Sequence, residues 1–362
     1  MFGGGAELPK RLVVCCDGTW NLPDQQCPTN VTKVALAVAD TDVDGTEQRV
    51  FYHRGVGSSR WERIRGGAFG FGLSRDVQET YRFLVQNYEP GDELFFFGFS
   101  RGAFTARSTV GLVRNAGILR PEQAGRIPEA YALYRSRTDT KTPRGREATL
   151  FRRSYSHEPR IRFVGVWDTV GALGVPADRS RLIAQFNKRW TFHNTELSSR
   201  VDAAFQALAI DEKRGPFKPS LWKVQEDIPH QHVEQVWFAG AHSDVGGGYP
   251  NHGLSDIALL WMADRARACG LAFRGDAFDH AWRPEWDTDS EDVALICTRV
   301  MPDPLAEKHQ SRKGLYRLVA AFDRDPAQFP AARQWLAPSV VERHEHQPDY
   351  VAPNFIGQLE IA

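Results

Sequence analysis

The chain has 362 residues, with 45 Lys+Arg against 45 Asp+Glu, so no excess charge marks nucleic acid as a partner. Hydrophobic residues at 42% and charged residues at 25% are ordinary for a globular domain, which excludes a disordered or fibrous chain. No apolar run reaches the roughly 18 residues of a membrane span, and the N-terminus lacks the basic-then-apolar order of a signal peptide, so the protein is expected to be cytoplasmic where it is made. Taken in chain order, strand-like runs cover residues 11–16, 48–52, 93–98, 161–167, 236–239 and, less regularly, 293–297. Helical patterns occupy residues 31–39, 74–87, 103–115 and 255–268 between them. This alternation predicts one α/β domain over 1–362, a mostly parallel sheet flanked by helices with its core at about 11–355. Two stretches, about 116–160 and 176–235, break the rhythm and read as insertions forming a lid or cap near the active site. Within 120–160, ten Lys/Arg face five Asp/Glu, a balance that fits either a solvated basic face or contact with lipid headgroups. Tyr131, Leu133 and Tyr134 in the first stretch, and Leu182, Ile183 and Phe186 in the second, are candidates to meet a lipid interface or simply to pack on the core.

The most informative stretch is Phe95-Phe96-Phe97-Gly98-Phe99-Ser100-Arg101-Gly102-Ala103. An apolar strand runs into a G-x-S-x-G turn and then into a helix, the setting in which a serine is held in a strained backbone with its hydroxyl exposed. Gly98 and Gly102 are there because side chains would clash at the strand–helix approach. Such a pattern also arises by chance in a chain with 31 glycines, so the argument needs a base and an acid as well. Asp168 follows the apolar run 163–167 and His242 follows 236–239, each at a predicted strand end, where functional groups of open α/β sheets gather. The order Ser100, Asp168, His242 is that of α/β-hydrolases. Asp244 competes with Asp168 as the acid, and each of the two carboxylates has a structural alternative in capping or building a turn. An oxyanion hole would draw on the backbone N–H of Arg101 and on Gly18 or Thr19 in the turn Cys16-Asp17-Gly18-Thr19, with Asp17 ordering that loop. The same turn brings to mind phosphatases with an Asp-x-Asp-Gly-Thr nucleophile, but Cys15 stands where their first aspartate would be. The five cysteines, Cys15, Cys16, Cys27, Cys269 and Cys297, show no CxxC or zinc spacing, and neither a metal nor a cofactor is expected.

Several separated motifs occur together: VVCCDGTWN, FYHRGVGSS, GFSRGAFTAR, GVWDTVGALG, ALAIDEKRGPFKPSLW, VWFAGAHSDVGGGYPNHGLSDIALLWM and APSVVERHEHQPDYVAPN. In this order they resemble the DUF2235 family, which includes the catalytic domains of Tle1-type phospholipase effectors of type VI secretion. The resemblance implies an α/β-hydrolase core and serine esterase chemistry on glycerophospholipid acyl esters, with the nucleophile at Ser100, the base at His242 and the acid at Asp168. It also implies an immunity or secretion-system partner, contact with a membrane surface, and possible export by a type VI apparatus. Phe205 and Gln206 stand where many relatives carry a histidine, and a long C-terminal membrane-targeting module like that of the characterised effectors is not expected. A soluble small-ester or thioester hydrolase, or an interaction module on an inactive hydrolase scaffold, are the alternative readings.

Overall fold

The structure, a computed structural model, describes residues 9–18, 27–55, 68–170, 196–225, 228, 230–275, 277–278, 300–312, 317, 321–329, 333–350 and 355–362. In chain order its main elements are β1 (Arg11–Cys16), α1 (Asn30–Ala37), β2 (Gln48–His53), α2 (Ala68–Asn87), β3 (Glu93–Phe99) and α3 (Arg101–Ala116). A short pair, β4 (Ile118–Leu119) and β5 (Ser156–His157), brackets α4 (Ile127–Arg135) and α5 (Arg146–Tyr155). There follow β6 (Ile161–Trp167), β7 (Val201–Ala209), β8 (His232–Phe238), α6 (His242–Gly246), α7 (Gly253–Ala268), β9 (Gln334–Leu336), α8 (Pro338–His346) and β10 (Glu360–Ile361). Eight strands form one sheet in the order β10-β9-β8-β7-β6-β3-β1-β2, and every neighbouring pair in it is parallel. The fold is therefore of the α/β-hydrolase-like class.

Alternation of side chains builds the two faces. Val13, Cys15, Phe95, Phe97, Phe163 and Trp167 point to one face, where they pack with α1 and α7; Leu12, Val14, Leu94, Phe96, Val164 and Val166 point to the other, under α2 and α3. Because both faces are covered, these strands read as continuous apolar runs. Phe163 links the rings of β3, with centroids 5.0 Å from Phe97 and 5.9 Å from Phe95. Each such ring taken from water contributes about 1.5–3 kcal/mol.

The strand order also fixes where chemistry can occur. From β1 the chain moves outward to β2 and then returns to place β3 on β1's other side, so the carboxyl ends of β1 and β3 open into the crevice of a topological switch point. Registers bring the strand ends level, since Cys16 pairs with Gly98, Phe99 with Trp167, Trp167 with Ala207, and Ala209 with Phe238.

Two expectations change. The stretch 176–235 contains β7, a central strand, and the start of β8. Its sequence VDAAFQALA is alanine-rich and carries little intrinsic strand preference, but between β6 and β8 nearly every side chain is buried and small residues let helices close on both faces. The stretch 116–160 does not cap the serine. It packs along the half of α3 remote from Ser100, with Ile127, Ala130, Leu133 and Phe151 buried, Asn115 donating to the carbonyl of Lys141 at 3.0 Å and Arg152 to that of Asn115 at 2.8 Å. Leu133 is thus core, Tyr131 packs against the core and donates to Ser74, and residues 182, 183 and 186 lie outside the described residues, as does 293–297. Among the described residues no helix is long and apolar enough to cross a membrane.

One buried ion network joins the layer formed by α1 and α7. Asp256 on α7 accepts from Lys33 of α1 at 2.6 Å and from His252 at 2.5 Å, with all three side chains nearly or fully buried. Burial alone would raise the Asp256 carboxyl, but the His252 hydrogen bond and the Lys33 charge outweigh it and hold it below its ordinary 3.8. A depressed carboxyl stabilises the fold above the unfolded value and ceases to do so as pH falls through the folded one. Asp256→Ala leaves a buried ammonium without its carboxylate and should cost roughly 3–5 kcal/mol in chemical denaturation at neutral pH. A loss below about 1 kcal/mol, the scale of a surface pair, would contradict this account.

Candidate active site

Ser100 lies between β3 and α3 with φ 57° and ψ −119°, a conformation that costs a non-glycine residue about 1–3 kcal/mol. The surroundings impose it. A Cβ on Gly102 would lie 2.1 Å from the carbonyl oxygen of Cys16, and one on Gly98 would lie 2.6 Å from the Cα of Ala103, so the helix can meet β1 and β3 this closely only with glycine at both positions. The Ser100 N–H donates to the carbonyl of Trp167 at 3.1 Å, which carries the β3–β6 ladder into the turn.

His242 begins α6 just beyond β8. Its Nε2 is 2.7 Å from Ser100 Oγ and its Nδ1 is 2.6 Å from Asp168 Oδ2. The ring is held between Phe99, at 4.6 Å, and Phe217, edge-on at 4.9 Å. A side chain on Gly246 would run into the Phe99 ring at 2.0 Å, so this glycine lets α6 seat over the elbow. Asp168 directly follows β6 with φ 38° and no solvent exposure, and the N–H of Ala209 donates to its Oδ1 at 3.1 Å. The three residues expected at strand ends therefore meet in one hydrogen-bonded row.

Asp244 does not face the imidazole. Its carboxylate accepts from the Ala241 N–H at 2.9 Å, closing the first turn of α6, and from His309 Nδ1 at 2.6 Å. Burial raises its carboxyl, against which these bonds act. Near the β1 end, Asp17 orders the loop as expected, accepting from Thr29 Oγ1 at 2.6 Å, Thr32 Oγ1 at 2.9 Å and Tyr52 OH at 2.7 Å. The same carboxylate takes the Gly18 N–H at 2.6 Å, so that expected oxyanion donor is already engaged by Asp17. Thr19 lies outside the described residues. Arg101, the residue after Ser100, is the first residue of α3.

Four further polar side chains, Arg324, Glu212, Asp211 and Gln206, carry no catalytic signal in the sequence. Arg324 donates to both oxygens of Asp168, at 2.6 and 3.0 Å, and to the carbonyls of Ala209 and Phe217, each at 2.6 Å. Burial would raise the Asp168 carboxyl, but the Arg324 charge and the His242 hydrogen bond outweigh it and hold the group well below the carboxylate range. Glu212, fully buried, accepts from the His242 N–H at 3.3 Å and is paired with Arg214 at 2.8 Å. Asp211 accepts from the Gly240 N–H at 2.7 Å, so the two acids of the ALAIDEKR motif brace the loop that presents His242. Gln206, buried in β7, accepts from Arg107 at 3.3 Å and donates to the Ser220 carbonyl at 3.2 Å.

Among the described residues, His53, Asp76 and Glu79 bring ligand atoms within 4.8 Å of one another. His53 Nε2 lies 3.2 Å from Glu79, which Arg75 also holds at 2.6 Å, so the group ties β2 to α2 as an ion-pair cluster.

Arg324→Gln removes the charge that opposes burial at Asp168. The variant should lose roughly 3–5 kcal/mol at neutral pH. Since the depressed carboxyl stabilises the fold only above its unfolded value, the gap from the parent should narrow as pH falls below 3.8. Denaturation curves across that range check it, and a gap independent of pH would assign the loss to packing.

With this geometry in hand, known proteins place the chain. The family described as T6SS, Phospholipase effector Tle1-like, catalytic domain matches residues 10–265. Over 242 residues the chain is 28% identical to the uncharacterized protein YEL023C of Saccharomyces cerevisiae, a match covering 61% of this chain and 34% of the yeast protein. Solved structures with similar chains include an uncharacterized protein from Pseudomonas aeruginosa, at TM-score 0.45 and 18% identity over 82% of this chain and 49% of that one. They also include the Tle1 effector bound to the VgrG spike of the type 6 secretion system, at TM-score 0.35 and 19% identity over 67% of this chain and 51% of that one. A third is the esterase Est2 of Thermogutta terrifontis, at TM-score 0.36 and 12% identity over 74% and 86%. The chain thus spans about a third of the yeast relative and about half of the first two structures. The match over residues 10–265 shows that the chain belongs to the family of Tle1-like phospholipase effector catalytic domains.

Proposed function

We propose that the chain is a serine hydrolase that cleaves acyl esters of glycerophospholipids through Ser100, His242 and Asp168. The observation that carries the reading is the unbroken row from Ser100 Oγ to His242 Nε2 at 2.7 Å and from His242 Nδ1 to Asp168 at 2.6 Å. In this arrangement His242 removes the hydroxyl proton as Ser100 Oγ attacks the ester carbonyl. Asp168, kept ionised by Arg324, holds the imidazole tautomer and stabilises the imidazolium. The developing oxyanion lies toward the start of α3, with the Arg101 N–H as one donor. Protonation of the leaving alkoxide by His242 releases the alcohol and leaves an acyl group on Ser100, and water then repeats the sequence in reverse. Membership of a family of phospholipase effector domains supports phospholipid as substrate, export by a type VI apparatus, and partners from that apparatus.

A fluorophosphonate probe should label the parent and not Ser100→Ala. Ser100→Ala and His242→Ala should each lower turnover by about 10⁴–10⁶, and Asp168→Asn by about 10³–10⁴. Asp244→Asn, whose carboxylate serves α6 and His309, should retain most activity. Full activity in Asp168→Asn together with loss in a folded Asp244→Asn would reverse the assignment of the acid. For the substrate, fatty-acid release from phospholipid vesicles is compared with cleavage of short nitrophenyl esters, with Ser100→Ala as blank. Ser100-dependent release from vesicles is the expected result. Cleavage of soluble esters alone would leave a soluble esterase, and no turnover or labelling at all would leave an interaction module.

A further inference from the structure

A cavity of about 500 Å³ runs along α3 on the face opposite α1, between that helix, the α4–α5 connection and residues 196–225. Its lining on α3 begins at Arg107 and reaches Asn115, two to four turns beyond Ser100, and 15 residues of helix span about 22 Å. The cavity is therefore separate from the crevice at the strand ends. Val110, Val164, Leu197, Tyr134 and Trp222 form an apolar part of a wall that also carries serine, threonine and glutamine side chains, and the cavity's size lies in the range of small-molecule sites.

Four arginines line it, Arg107, Arg114, Arg137 and Arg144, against one carboxylate among the described lining residues, Glu196. Arg107 is buried, its guanidinium 4.7 Å from the centroid of Trp222, and it donates to the neutral oxygens of Gln206 and Ser220. Arg114, half-buried on α3, forms no hydrogen bond or ion pair among the described residues. Burial lowers its pKa, and so do the charges of Arg200, Arg152 and Arg144, with Glu158 opposing them. Positive charge is thus concentrated around a chamber whose wall is partly apolar. The ordinary reason for a cationic surface, solvation, does not account for guanidinium groups gathered around a wall of Val, Leu and Trp.

We propose that this cavity is a second binding site for an anionic amphiphile, a ligand whose carboxylate or phosphate head meets Arg114 and Arg144 while its alkyl body fills the space beside Val110, Val164 and Trp222. Planar guanidinium groups suit either head, and the chamber suits a flexible chain. Fatty acids and phosphorylated lipids share this chemistry.

Calorimetric titration of full-length Ser100→Ala separates the sources. The probes are dodecanoate and dodecyl phosphate below their micellar concentrations, with dodecyl maltoside and inorganic phosphate as controls. At least one anionic probe should bind, and whichever binds more tightly names the head group. Adding R114Q and R144Q should weaken that binding by tenfold or more. With Ser100 intact, the same pair of substitutions should leave cleavage of a short soluble ester unchanged, which also establishes that the variant folds. Absence of binding by both anions overturns the proposal, as does binding that R114Q/R144Q does not alter. Equal binding of dodecyl maltoside removes the role of charge, equal binding of inorganic phosphate removes that of the apolar wall, and loss of soluble-ester cleavage would make the cavity part of the first site; each result rejects the proposal.

Discussion

The structure turns on a contact that has no room for a side chain. Where α3 leaves the elbow, Gly102 lies against the carbonyls of Cys16 and Asp17 at the end of β1, and Gly98 lies against the helix's own beginning at Ala103. Strand and helix are locked together over two residues, and the intervening serine takes its positive φ from that lock. The elbow fixes one end of the row of polar groups. The register of a wholly parallel sheet fixes the other, because Trp167 pairs with Phe99 and so Asp168, just past β6, follows on beside Ser100, just past β3. The imidazole of His242 then has to enter from β8, two strands beyond β6.

Charge handling around that row follows one rule: a buried ion keeps its charge only if another group meets it. Asp168 is met by Arg324 on both oxygens, Glu212 by Arg214, and Asp256 by Lys33 and His252. Asp17 is met by two threonine hydroxyls, a phenol and an amide. Desolvation that would cost several kcal/mol per ion is offset in each case by charge or by donors.

Much of the site was legible because its signals are local. G-x-S-x-G announces a turn through residues two apart, and Asp168 and His242 each follow apolar strand runs, so position in the alternating pattern was enough to find them. β1 and β6 were read with their observed limits for the same reason, being runs of branched and aromatic residues. β7 was not, since VDAAFQALA offers a helix-forming composition, and only burial on both sides makes it a strand. Arg324 could not be found at all. An arginine between Asp323 and Asp325 looks like solvent-facing charge until the fold brings it to a carboxylate 156 residues earlier. The competition between Asp168 and Asp244 was likewise undecidable from spacing. It is a question of direction, and the Asp244 carboxylate is turned toward Ala241 and His309.

The sequence distance between Arg324 and Asp168 has a temporal side. A chain emerging from the ribosome forms its early strands first, so the segment carrying Asp168 is present before its guanidinium partner has been synthesised. During that interval the aspartate lacks the cation that offsets its burial, and β6, β7 and the loop at Phe217 lack the clamp that Arg324 forms by bridging Asp168, Ala209 and Phe217. The clamp on Asp168 can therefore close only once residue 324 has been made.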